Sequence, residues 1–176
     1  MIVIVSFLTL AVLAVTVASC VSDVRSTRIP NWHSVVVLAA FVPAFLLSPE
    51  SFGPWWSHLG AFALMFAVTF GLFAAGIMGG GDTKLGSVLA LWVGMKGLMV
   101  YLFYMALVGG VLGVLSIIFR KRKPFVNPIA GSWIAQVQAG ENAVPYGVAI
   151  SVGAWAAFFH TGFLHHQLDE LFKIIH

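Results

Sequence analysis

Charge is what this chain has least of. Only 9% of its residues are charged, and just six of the 176 are acidic. The formal excess of three positives is spread between apolar runs, which excludes a basic nucleic-acid surface. Cysteine occurs once, at Cys20. That rules out an intramolecular disulfide and any zinc site built on several thiolates. No Lys or Arg precedes Arg25, so the apolar stretch 1–22 lacks the positive start of a secretory signal. Val17-Ala18-Ser19-Cys20 has the form of a lipoprotein cleavage box. Without preceding positives, the stretch reads instead as a retained first helix. Neither an internal repeat nor a disordered linker is found. His160, His165, His166 and His176 follow no ordered ligand spacing and read as interfacial polar residues, so no metal or cofactor is expected.

What the chain does have is apolar surface. It is 60% hydrophobic with a mean hydropathy of +1.00, more than a soluble domain of this length can hide. The composition points to an all-α membrane protein, a single polytopic domain over 1–176. Against a requirement of about 20 apolar residues per crossing, about six transmembrane helices are expected. They lie near 2–22, 32–47, 58–78, 83–97, 98–119 and 145–159. The fourth is short, about 22 Å at 1.5 Å per residue. It must thin the bilayer or sit behind its neighbours beside a water-filled pocket. Pro145 suits the first turn of the last helix.

Positive charge sets the orientation. Arg25, Arg28, Lys84 and the run Arg120-Lys121-Arg122-Lys123 fall on one side, and only Lys96 and Lys173 on the other. The richer side is read as cytoplasmic, with both termini outside. Two segments read as interfacial. Ala130, Trp133, Ile134 and Val137 recur at helical spacing and suit a short turn lying on the inner surface. Leu164, Leu168, Leu171, Phe172 and Ile175 form one stripe of an amphipathic tail, 163–176, on the outer surface. Gly109 and Gly113 form a Gly-x-x-x-Gly pair, read as a helix-packing device.

Two of the scarce carboxylates fall at matching depth on the cytoplasmic side. Asp23 ends the first apolar run, and Asp82 follows Gly79-Gly80-Gly81. Two carboxylates sharing a site cannot both ionise cheaply, so one keeps a proton as general acid and the other acts as base on water. That is aspartic-protease chemistry. Taken singly, Asp82 also reads as an N-cap and Asp23 as a solvated helix end. The glycines allow unusual backbone angles and close approach of a substrate backbone, or serve only as a flexible exit from the third span. Lys84 marks the cytoplasmic edge, with lowering of a carboxylate pKa or binding of a substrate acid as alternatives; Arg25 and Arg28 carry the same ambiguity. Outside catalysis, intramembrane acids serve proton-coupled carriers or channels, although carrier acids usually lie near the midplane. A non-catalytic subunit of a secretion machine is the other rival.

With these residues in view, the chain resembles the type IV prepilin peptidases, GxGD aspartic proteases of the membrane. Gly79-Gly80-Gly81-Asp82-Thr83-Lys84 matches the family's second-aspartate motif, and Asp23 with Ile29-Pro30-Asn31 matches the first. Val144-Pro145-Tyr146-Gly147 resembles the element opening the last helix. The likeness runs over about 1–159. It implies a GxGD-type protease fold in a bacterial plasma membrane, catalytic Asp23 and Asp82, and supporting roles for the other motif residues. It also implies removal of the leader from prepilins or pseudopilins at the cytoplasmic face, with membrane lipid and pilus assembly machinery as further partners. Larger members carry a cysteine-paired zinc domain linked to N-methylation. With Cys20 alone, the chain looks like the short peptidases of tight-adherence (Flp) pilus systems, without methyltransferase activity.

Overall fold

The computed structural model describes residues 2–165 and 169. Among them the chain forms helices and turns only: α1 Ile2–Ser26, α2 Asn31–Leu47, α3 Pro49–Phe52, α4 Trp55–Ala74, α5 Gly80–Arg122, α6 Trp133–Gln138 and α7 Tyr146–His160. Three helices are long and apolar enough to cross a membrane: Val3–Ser26 within α1, α4 and α5. The apolar α2 and α7 are shorter.

α5 is two arms rather than one rod. Gly94 breaks it with φ 66 and ψ 175, a conformation that side chains resist. The Tyr101 hydroxyl donates to the Gly86 carbonyl at 3.1 Å. Residues fifteen apart in a straight helix stand about 22 Å apart, so the arms must fold back on each other. The reversal precedes the expected boundary at 97–98, because the polar pair Lys96-Gly97 marks the break less well than the glycine that must adopt the special angles. The first arm forms the centre of the molecule: every residue from Leu85 to Gly94 is buried. The second arm exposes much of its apolar surface, including Met99, Phe103, Leu107 and Val111.

Polar stitches tie the apolar helices, each satisfying a group that an apolar environment would otherwise strand. Trp92 Nε1 donates to the Val37 carbonyl at 2.9 Å, joining α5 to α2. Trp155 Nε1 donates to Thr16 Oγ1 at 2.8 Å, joining α7 to α1. Ser19 Oγ lies 2.8 Å from His33 Nδ1, joining α1 to α2. The ring nitrogens of buried His58 lie 2.6 Å from the Leu91 carbonyl oxygen and 3.0 Å from that of Phe52.

Several boundaries differ from expectation. α1 continues to Ser26, which puts Asp23 inside its last turn. α4 starts at Trp55 and stops at Ala74, leaving 75–78 as a turn into α5. α6 does not lie free on a surface: Trp133 and Val137 are buried, and Trp133 Nε1 donates to Ser116 Oγ at 2.9 Å. Ala130 is exposed. In the tail, Leu164 is buried in the core. Leu168, Leu171, Phe172 and Ile175, with His166 and His176, lie outside the described residues.

Candidate active site

Asp23 is 3% exposed. Its Oδ2 accepts the Gly147 N–H at 2.6 Å. Gly147 is the second residue of α7, and first-turn N–H groups have no partner in their own helix. The carboxylate of α1 therefore caps α7 from outside, where the helix dipole favours negative charge. Asp82 is the third residue of α5, and its Oδ2 reaches back to accept the Gly79 N–H at 3.2 Å. That is the reciprocal half of a capping box; Gly79, not Asp82, is the N-cap. Asp82 Oδ1 is buried and has no hydrogen-bond partner among the described residues.

Both acids border one cavity of about 710 Å³. The turn 76–79 forms one wall, and Gly113, Ser116, Ile117 and Arg120 of the second α5 arm form another. Thr27, Gln136 of α6, the stretch 141–144 and Tyr146 of α7 supply the remainder.

Ile29 brackets this arrangement. A Cβ on Gly81 would lie 2.9 Å from the Ile29 carbonyl oxygen. A Cβ on Gly147 would lie 2.7 Å from Ile29 Cδ1 and 2.9 Å from Asp23 Oδ2. One residue thus packs between the helix that carries Asp82 and the helix that grips Asp23. It gets there by a tight exit from α1, with Thr27 at φ 50 and Ser22 Oγ donating to the Arg28 carbonyl at 2.8 Å. Pro30 then caps α2, and Asn31 opens it. Asn31 Oδ1 accepts Lys84 Nζ at 3.0 Å, a second tie from this turn to α5.

The glycines act differently from the sequence expectation. None of Gly79, Gly80 and Gly81 has positive φ, and Gly80 and Gly81 are already helical. The close approach at Gly81 is to this chain's own Ile29 backbone. Only Gly79 of the three lines the cavity. Pro145 is the N-cap of α7 rather than its first turn. Tyr146 lines the cavity, and its ring packs beside Gly109, where a Cβ would lie in ordinary contact, 3.6 Å from Tyr146 Cε1. A Cβ on Gly113 would meet nothing within 4 Å among the described residues, and Gly113 lines the cavity.

Arg25, Arg28 and Lys84 do not line the cavity; Arg120 is the one Lys or Arg that does, among the described residues. Its Nη1 donates to Asn142 Oδ1 at 2.6 Å. Sequence reading grouped Arg120 with its basic neighbours. The available signal was spacing: Gly113, Ser116, Ile117 and Arg120 share one helical face. Gln136, whose Nε2 donates to Thr27 Oγ1 at 2.8 Å, was missed because its partner lies 109 residues away. Among the described residues no group of three His, Cys, Asp or Glu side chains is placed to hold a metal ion.

Residues 7–114 match the model of the type IV leader peptidase family. The prepilin leader peptidase/N-methyltransferase of Bacillus subtilis (strain 168) is 26% identical over 140 residues, which cover 76% of this chain. The same alignment covers 56% of that relative, so the chain spans little more than half its length. No solved structure matches. The family match takes in both aspartates and most of the chain, and the all-helical architecture with membrane-crossing lengths fits it: the chain belongs to the type IV leader peptidase family.

Proposed function

We propose that this chain is an aspartic endopeptidase of a bacterial plasma membrane, with Asp23 and Asp82 as its catalytic pair. One observation carries the reading: carboxylates from two different helices border a single cavity, each with one oxygen held by a backbone N–H. Such anchoring orients a carboxylate and leaves its other oxygen for chemistry. Two carboxylates in one site share a proton. One activates water toward the scissile carbonyl, while the other protonates the oxyanion or leaving amine. The pair titrates as a unit, and no metal takes part.

The substrate in this reading is a prepilin or pseudopilin. Its apolar helix stays in the bilayer against the exposed face of the second α5 arm, and its leader junction lies along the turn 76–79. Family membership and the similarity to the Bacillus subtilis prepilin leader peptidase/N-methyltransferase support that substrate class. The distribution of Lys and Arg supports a cytoplasmic cavity and outward termini. The single cysteine supports a short, Flp-type peptidase without the methyltransferase activity in that relative's name. Lipid and the pilus assembly machinery are the further partners.

The test is cleavage of a synthetic prepilin by the purified, reconstituted protein. Wild type should cut at the leader junction and keep its rate in chelator. Asp23→Asn and Asp82→Asn should each lower the rate by about 10²–10⁴-fold or more, with unchanged elution and helicity. Wild-type turnover by either variant would sink the assignment.

A further inference from the structure

We infer that the segment 121–129, from the last turn of α5 into the loop after it, is a docking surface for the headgroups of anionic phospholipids. No acidic residue occurs between Asp82 and Glu141, and Lys121, Arg122 and Lys123 stand exposed in succession. The apolar run that precedes Arg120, 98–119, is about 33 Å long at 1.5 Å per residue. That matches the hydrocarbon core of about 30 Å, so the cations emerge at headgroup level.

The loop that follows is fixed in shape. Lys123 ends α5 in the left-handed region, with φ 45. The Gln138 side chain then clasps Phe125, accepting its N–H at 3.0 Å and donating to its carbonyl at 2.8 Å. The Phe125 ring packs edge-on against Phe119, centroids 5.6 Å apart. Held this way, the loop presents Val126 and Ile129, 93% and 72% exposed. Aliphatic side chains displayed beside a row of cations suit the boundary between headgroups and acyl chains. An acidic protein or nucleic acid would answer the cations and leave the aliphatic pair in water. Arg120 is engaged with Asn142 and is not counted in the surface.

The experiment uses the full chain with Cys20→Ser and Val126→Cys, labelled with a polarity-sensitive dye. It is reconstituted in vesicles of phosphatidylcholine alone or of phosphatidylcholine mixed with phosphatidylglycerol. The dye should shift to the blue in the mixed vesicles, and high salt should reverse the shift. At roughly fivefold per cation, the variant Lys121→Gln/Arg122→Gln/Lys123→Gln should lose about 100-fold in association, and the shift with it. Equal emission in both vesicle types, or a shift retained in the triple variant, would overturn the inference. So would an equal shift from the same dye at Trp55→Cys, at the opposite end of the bundle. The readout is lipid contact and not cleavage, so its failure would leave the peptidase reading standing.

Discussion

A Cβ at Gly81 would sit 2.9 Å from the Ile29 carbonyl oxygen, and a backbone carbonyl cannot swing aside as a side chain can. Because Gly81 is helical, a demand for positive φ plays no part there. Gly81→Ala should therefore already displace the start of α5 and with it Asp82, cutting cleavage by about 10²-fold at unchanged membrane insertion. Gly81→Val should be no milder. At Gly147 the first obstacle is different, the Cδ1 of Ile29 at 2.7 Å. Ile29→Val deletes that atom, so the double change Gly147→Ala/Ile29→Val should regain part of the rate lost in Gly147→Ala. The same Ile29→Val should not help Gly81→Ala, whose obstacle is backbone. Cleavage rates of the five variants measure this, and equal rescue at both glycines would refute the bracket. The acids themselves were legible in the sequence, because carboxylates are rare in it and lie next to glycine and proline punctuation. The bracket was not, since it depends on Ile29 meeting residues 52 and 118 positions further along.

At the scale of elements, apolar run lengths disclosed helices at nearly every place where one stands, because a membrane leaves the backbone few other ways to satisfy itself. What run length does not disclose is which face meets lipid and which meets protein. Trp133 and Val137 kept their helical spacing yet turned inward, Trp133 onto Ser116 of the second α5 arm. The same limit applies to the fold in α5, where hydropathy pointed to Lys96 and Gly97 while the turn needed the angles of Gly94. Ala at position 94 would occupy a region nearly reserved for glycine and would press on His58 Cε1 at 3.1 Å. The expected cost is about 1–3 kcal/mol, read as a lowered midpoint of thermal unfolding in detergent micelles. Gly110→Ala is the matched control, since a Cβ there meets nothing within 4 Å. Equal midpoints for the two variants would mean that the arms do not turn at Gly94.

For the whole molecule, the distribution of nine Lys and Arg supports the proposal that the cavity end faces the cytoplasm. In a Cys20→Ser background, Trp55→Cys should react with an impermeant maleimide in intact cells. Arg25→Cys and Arg122→Cys should react only after permeabilisation; the opposite pattern would invert the topology. Long-range closure of the site was beyond reading from the chain, and it has a consequence for timing. The grip of Gly147 on Asp23 joins residues 124 apart. A ribosome that has already delivered both aspartates has still to make the helix that orients the first. At about 5–20 residues per second, the unfinished chain spends several seconds in the membrane with both acids present and no working pair. In the proposed enzyme, proteolytic competence is therefore acquired only with the last helix, and a protein stalled during synthesis is harmless to its neighbours.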